Sequence, residues 1–198
     1  MNFSDNIVLE NNSILLRPLI PEDEEGFGKI AFDPIIWKYT VTKAMNSNGL
    51  KEYINSALEE RKRNFRYPFT IVDKTSGKIA GSTSYGSISM KDKRLEIGWT
   101  WLGKEFRGTG INRQCKLLLL QYAFEHLKFE RVEFKTDLLN NAARRALEKI
   151  GAKEEGILRS HTLMHDGRRR DTIYYSILHN EWKLVKQKVF NLSPPGRG

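Results

Sequence analysis

Trp99-Thr100-Trp101-Leu102-Gly103-Lys104-Glu105-Phe106-Arg107-Gly108-Thr109-Gly110-Ile111-Asn112 carries an apolar strand into a glycine-bearing basic loop and on into a helix. Beyond Ile111 the apolar residues Cys115, Leu118, Leu119 and Tyr122 recur at steps of three and four, the spacing of one helix face. Arg107 to Gly110 therefore falls at a helix N-terminus. Backbone N–H groups there lack intrahelical acceptors, and with the positive end of the helix dipole and the Arg107 guanidinium they make an anion site. Gly108 and Gly110 let a phosphate approach the backbone closely. An ordinary strand-to-helix turn is the alternative, since a lone Gly-x-Gly is compatible with both.

The residues that are missing narrow the choice. A nucleoside-triphosphate loop needs Lys-Ser or Lys-Thr after its last glycine, but Ile111-Asn112 follows Gly110. A dinucleotide fingerprint needs a third glycine where Arg113 stands. Phosphate binding without a metal remains, and no metal site is expected.

Working outward, the strand before the loop runs from Arg94 to Leu102. If regular, it puts Leu95, Ile97, Trp99 and Trp101 on one face and Glu96, Gly98 and Thr100 on the other. On its N-terminal side, Phe69 to Asp73 and Ile79 to Ile88 flank a hairpin turn at Lys74-Thr75-Ser76-Gly77. Earlier come a strand at Ser13 to Arg17, an acidic-capped helix from Pro21 to about Ala31, an irregular or helical piece at Ile35 to Thr42, and a helix from Leu50 to about Asn64. After the long helix, Arg131 to Thr136 is a strand and Asn140 to Ile150 a helix stopped by Gly151. A hairpin over Lys153 to Met164 and Arg169 to Leu178 turns at Asp166-Gly167, and a basic helix closes the chain. The predicted fold is α/β of the α+β kind, a mixed and mostly antiparallel sheet with helices on both faces. Residues 1–190 form a single domain and 191–198 a flexible tail.

Composition bounds the function. At 198 residues and 39% hydrophobic content the chain fits one domain with a sizeable core. Its one cysteine, Cys115, excludes an internal disulfide and falls on an apolar helix face, so a cytoplasmic setting and a buried thiol are expected. No apolar stretch reaches membrane length, and Glu10 to Asn12 interrupt any early leader pattern. A formal charge of +9 favours polyanions, so nucleic acid stays open beside a phosphorylated cofactor, although neither zinc-finger spacing nor an RNA-binding strand signature is present. His161 and His165, four apart on a strand, stand roughly 13 Å from one another and share no ion.

These residues together resemble a family. Arg107-Gly108-Thr109-Gly110-Ile111-Asn112 resembles the Gln/Arg-x-x-Gly-x-Gly/Ala pyrophosphate loop of the GNAT N-acyltransferase superfamily. The likeness extends through Leu15-Leu16-Arg17-Pro18-Leu19, Leu95-Glu96-Ile97-Gly98-Trp99, Thr136-Asp137 with Asn140, and Leu147 to Ala152. Gly156-Ile157-Leu158-Arg159 and Asp166 to Asp171 resemble the branch containing the ribosomal-protein N-terminal acetyltransferases. The resemblance implies a sheet splayed at the cofactor site, acetyl-CoA as co-substrate, and acyl transfer directly to an amine. It implies cofactor contacts from Thr100, Leu102, Arg107, Gly108, Thr109, Gly110, Ile111, Asn112, Asn140 and Arg145, those of Thr100 and Leu102 being mainly through backbone groups. It puts a backbone N–H near Leu102 in the oxyanion role.

An amine of pKa roughly 8 to 10.4 must lose its proton before attack, and Glu96 matches the family's catalytic glutamate. A structural or exposed strand carboxylate is its other reading. The family often has serine where Ala143 stands, or tyrosine where Leu147 stands, to assist the leaving thiolate. This chain has neither, which leaves Tyr85, Tyr174 and Tyr175 as substitutes, each also fit for a core or cleft wall. The acceptor is expected to be a protein N-terminus or a small amine, selected around Trp37, Tyr39 and Ser160 to Asp171. A small metabolite or antibiotic, ribosome association, and a degraded CoA-binding or RNA-associated module stay open, as do monomer and homodimer.

Overall fold

The computed structural model describes residues 1–191; the tail expected at 191–198 lies, beyond Asn191, outside the described residues. Eight strands there join in one sheet, ordered β1-β2-β3-β4-β5-β6-β8-β7. They are β1 (Leu9–Glu10), β2 (Ile14–Pro18), β3 (Arg66–Asp73), β4 (Ile79–Ser89), β5 (Arg94–Leu102), β6 (Arg131–Asp137), β7 (Lys153–Leu163) and β8 (Arg169–Leu178). The helices are α1 (Asp23–Gly28), α2 (Pro34–Trp37), α3 (Ser47–Lys62), α4 (Ile111–Gln121), α5 (Asn141–Lys149) and α6 (His179–Phe190). Tight turns make most neighbours antiparallel. At one, Asp73 accepts from the Ser76 N–H and Gly77 takes φ +71°; at another, Gly167 takes φ +84°. Only β5 and β6 run parallel, because α4 crosses over between them.

The helices cover both faces. One core joins Cys115, Leu119 and Leu120 of α4, Leu147 of α5 and Trp182 of α6 to Tyr85, Leu95, Ile97, Phe134 and Tyr175 of the sheet. The other joins Phe27 of α1, Trp37 of α2 and Leu50, Tyr53 and Ile54 of α3 to Trp101. The piece expected over Ile35 to Thr42 is the short α2, started by Pro34 and by the Asp33 carboxylate, which accepts from the Ile35 N–H.

The sheet is split near its middle. β5 pairs with β6 only from Arg94–Arg131 to Glu96–Glu133. Beyond that point β5 stays on β4 as far as Leu102 and β6 stays on β8 as far as Asp137. The two parallel strands thus diverge toward their C-terminal ends and open a wedge.

β5 departs from the regular strand expected of it. Ser82 pairs with Trp101 but Ser84 with Gly98, so β5 carries one extra residue, and Trp99 takes φ +51°. This β-bulge reverses the alternation. Leu95 and Ile97 share one face, as expected, and it packs on α4; Thr100 and Leu102 join them there, whereas Trp101 joins the α1–α3 core on the opposite face. Trp99 does not share the Leu95 face either: its ring lies under the Arg66 guanidinium, 4.9 Å away, and Arg66 in turn donates to the Tyr53 hydroxyl of α3. Gly86 makes room for it, since a Cβ there would fall 2.4 Å from the indole. A bulky side chain at positive φ is held by this clamp.

Candidate active site

The loop after β5 is built to leave its amides free. Gly108 has φ +78° and Gly110 φ +94°, and a Cβ on either would meet nothing within 4 Å, so open space lies before both. Among the described residues no protein acceptor is hydrogen-bonded to the N–H of Gly108, Thr109, Gly110, Ile111, Asn112 or Arg113; Gln114 is the first to donate back, to Gly110. The Thr109 hydroxyl donates to the Phe106 carbonyl, and buried Ile111 anchors the first turn of α4. Asn112 adds a side-chain amide oxygen that is buried without a partner.

Arg107, expected in the anion site, is engaged by two protein groups. Its Nε donates to the Leu102 carbonyl at 3.0 Å and its Nη2 to Asp33 at 2.8 Å. The Asp33 carboxyl, held below its ordinary value first by the Ile35 N–H and then by Arg107, takes up the guanidinium charge. Arg107 therefore ties the end of β5 to the start of α2 and shapes the loop.

Because β5 and β6 are parallel, their C-terminal ends bring the N-termini of α4 and α5 to one edge of the sheet, on either side of the wedge. Asn140 caps α5, its Oδ1 accepting from the Ala143 N–H at 3.1 Å, as its helix-capping reading requires. Arg145 is exposed one turn further on and enters no ion pair among the described residues. Inside the wedge Thr100 turns its hydroxyl toward α4, within 2.8 Å of the Thr83 hydroxyl. It also accepts from Lys116 Nζ at 2.8 Å. Burial pushes the Lys116 ammonium down to about 8 and the neighbouring Cys115 thiol up to about 11.

On the other face Glu96 is 8% exposed. Lys135 Nζ at 2.9 Å and the Ser87 hydroxyl at 3.0 Å both engage its Oε2. Oε1 accepts no hydrogen bond among the described residues, and it points over Gly98, where a Cβ would fall 3.0 Å from it. Burial works against the Lys135 ammonium, but the charge and hydrogen bond of Glu96 outweigh it and raise its pKa. Tyr174 lies beside Lys135, with the ammonium 5.2 Å from its ring centroid. Arg170 stands on the same side and is held below the arginine value by burial, against the pull of Asp137 and Glu96.

Two of the three candidate tyrosines are committed elsewhere. Tyr85 is fully buried, its hydroxyl donating to the Leu119 carbonyl at 2.6 Å. The Tyr175 hydroxyl is shared among Arg144, Glu148 and Glu154 behind α5. Tyr174 alone of the three faces the Glu96 side. Trp37, expected at the acceptor surface, is a core residue whose indole N–H donates to the Ala31 carbonyl, while His165 at the hairpin tip reaches the Trp37 carbonyl at 3.1 Å. His161 contacts the Thr172 hydroxyl instead, so the two histidines serve different neighbours.

Sequence reasoning missed Lys116, Lys135, Ser87 and Asp33. Lys116 left a signal, a lysine four residues before Leu120 on an otherwise apolar face. The other three are joined to the site only by tertiary contact.

The site is thus a splayed parallel pair with free amides at its mouth and a carboxylate at its apex. The family model described as "Acetyltransferase (GNAT) domain" matches residues 13–153, and the chain belongs to this N-acetyltransferase family. YdaF of Bacillus subtilis (strain 168), provisionally named a ribosomal N-acetyltransferase, is 36% identical over 110 residues, 56% of this chain and 59% of that protein. The chain thus spans under two thirds of YdaF's length. The crystal structure of a provisionally assigned acetyltransferase from T. thermophilus superposes with TM-score 0.86 at 33% identity, covering 95% of this chain and 97% of the other. A GCN5-related N-acetyltransferase from Brucella melitensis gives TM-score 0.87 at 25% identity, covering 94% and 85%. Among the described residues no helix is long and apolar enough to cross a membrane.

Proposed function

We propose that this chain moves an acetyl group from acetyl-coenzyme A directly to a primary amine, and that the amine is a protein N-terminus. The observation that carries the reading is the wedge: six N–H groups without protein acceptors at its mouth and the Glu96 carboxylate at its apex. The N–H groups from Gly108 to Asn112 hold the pyrophosphate in the open space before the two glycines. The edge of β5 from Thr100 to Leu102, abandoned by β6, offers backbone groups to the pantetheine, with Asn140 and Arg145 opposite. Acetyl-coenzyme A supplies an acyl carbon activated as a thioester. Glu96 takes the amine's proton at Oε1, the oxygen that Lys135 and Ser87 leave free. A backbone N–H near Leu102, in a segment steadied by Arg107, faces the charge that develops on the acyl oxygen. The protein acceptor is supported by the likeness to YdaF.

Calorimetric titration with acetyl-coenzyme A, on wild type and on Gly110→Trp, tests the donor. Micromolar binding is expected for wild type, with at least about hundredfold weakening in the folded variant, because the indole fills the space and resists φ +94°. Mass spectrometry then scores acetylation of N-terminal peptides against small amines. No binding by folded wild type overturns the donor assignment, and transfer to small amines alone overturns the acceptor.

A further inference from the structure

Lys116 is 5% exposed, and among the described residues it enters no ion pair. Its Nζ has one hydrogen-bond partner, Thr100 Oγ1 of β5, and lies 5.9 Å from the ring centroid of Phe134 on β6. Thr100 and Phe134 both stand past Glu96 and Glu133, where the two strands cease to pair. The ammonium therefore sits on the floor of the wedge, one residue from the Trp99 bulge, with two N–H groups uncommitted.

A buried ammonium without a carboxylate is costly, and apolar packing would serve α4 better. Of the titratable groups, Cys115 is the one that acts on it by charge, and that thiol stays neutral. Thr100 is already satisfied by Thr83, so holding Thr100 does not require a lysine. An anionic or electron-rich atom arriving in the wedge supplies what the ammonium lacks.

Resting on the donor assignment above, we infer that Lys116 is a catalytic residue, whose ammonium binds the donor's sulfur and protonates it as the thiol leaves. As the amine nitrogen bonds to the acyl carbon, the carbon–sulfur bond breaks and its electron pair passes to sulfur. Counted from the neutral amine, Lys116 gives that sulfur a proton, and the proton that nitrogen loses as the amide forms passes by way of Glu96 and solvent back to Lys116. The products are an amide and a thiol, with no net change in charge. Lys116 thus fills the role left empty at Ala143 and Leu147. With a pKa of about 8 against about 8.5 for a free thiol, donor and acceptor are matched for transfer near neutral pH.

The experiment needs no acceptor. Coenzyme A is bound to wild type, Lys116→Met and Lys116→Gln, and the bound thiol is titrated by its thiolate absorbance; Cys115, ionising at about 11, stays silent. In wild type the bound thiol should ionise at least about one pH unit below the free value of about 8.5, and in both variants at or above it. Coenzyme A affinity should hold within about threefold at a pH of about 6, where the thiol stays protonated in all three proteins. Turnover by Lys116→Met should fall about hundredfold with acetyl-coenzyme A, and less with donors whose thiols are more acidic. Identical titrations in all three proteins overturn the inference. If neither variant folds, the wild-type titration decides: a bound thiol that ionises no more readily than the free one overturns it. Failure of wild type to bind coenzyme A overturns the donor assignment instead.

Discussion

Lys116 and Lys135 approach one wedge from opposite faces of the sheet, and burial acts against the charge of both, yet their basicities move in opposite directions. Lys135 has Glu96 at 2.9 Å, and its pKa rises. Lys116 has a threonine hydroxyl, and its pKa falls to about 8. Desolvation is common to the two sites, so the partner decides. The comparison separates a charge neutralised within the fold from one held in reserve. Lys135 steadies the Glu96 carboxylate. Lys116 is desolvated with no compensating charge among the described residues.

Removing the shared carboxylate strains the comparison most. Glu96→Gln should lower kcat by about 10²- to 10⁴-fold while the acetyl-coenzyme A Kd holds within about threefold, measured by steady-state kinetics and calorimetry. A loss of melting temperature with turnover intact would return Glu96 to a structural role.

Replacing the unpaired lysine comes next. Lys116→Met should stabilise the protein by roughly 3 kcal/mol at neutral pH. Because the folded pKa lies below the unfolded value of about 10.4, the unfolded chain binds more protons between pH 8 and that value, and wild-type stability rises there. The gap between the two proteins should close over that window in denaturant titrations at stepped pH. A pH-independent gap would mean that folding leaves the basicity of Lys116 unchanged.

Lys135→Met should do the opposite and less, destabilising by roughly 2 kcal/mol at neutral pH because Glu96 loses its ion-pair partner. Its folded pKa is raised, so the pair's contribution is complete below the unfolded lysine value and is lost as pH rises through the folded one. The same denaturant series checks the sign. If both substitutions stabilise, the distinction between the two lysines fails.

Much of this was legible in local sequence. The turns at Gly77 and Gly167, the cap at Asn140 and the loop from Arg107 to Asn112 declare themselves through backbone chemistry confined to a few residues. Glu96 was legible through its alternation with Leu95 and Ile97, which lies before the bulge. Past it, alternation misassigned Trp99 and Trp101, because the extra residue is stabilised by Arg66 and Gly86, neither of them near in sequence. The ion pair of Arg107 was not legible because Asp33, its partner, is 74 residues away. Tyr85 and Tyr175 looked available because nothing local records that Leu119 and Arg144 engage their hydroxyls.

The sequence by itself determined the order of strands and helices, the phosphate-type loop at the head of α4 and the carboxylate before it, since periodicity, glycine conformation and helix-end chemistry are short-range properties. Only the tertiary structure decided how far β5 and β6 part, which charges neutralise each other and which lysine is left facing the wedge. Those outcomes depend on desolvation and on partners brought together by folding, and neither quantity belongs to any residue taken alone.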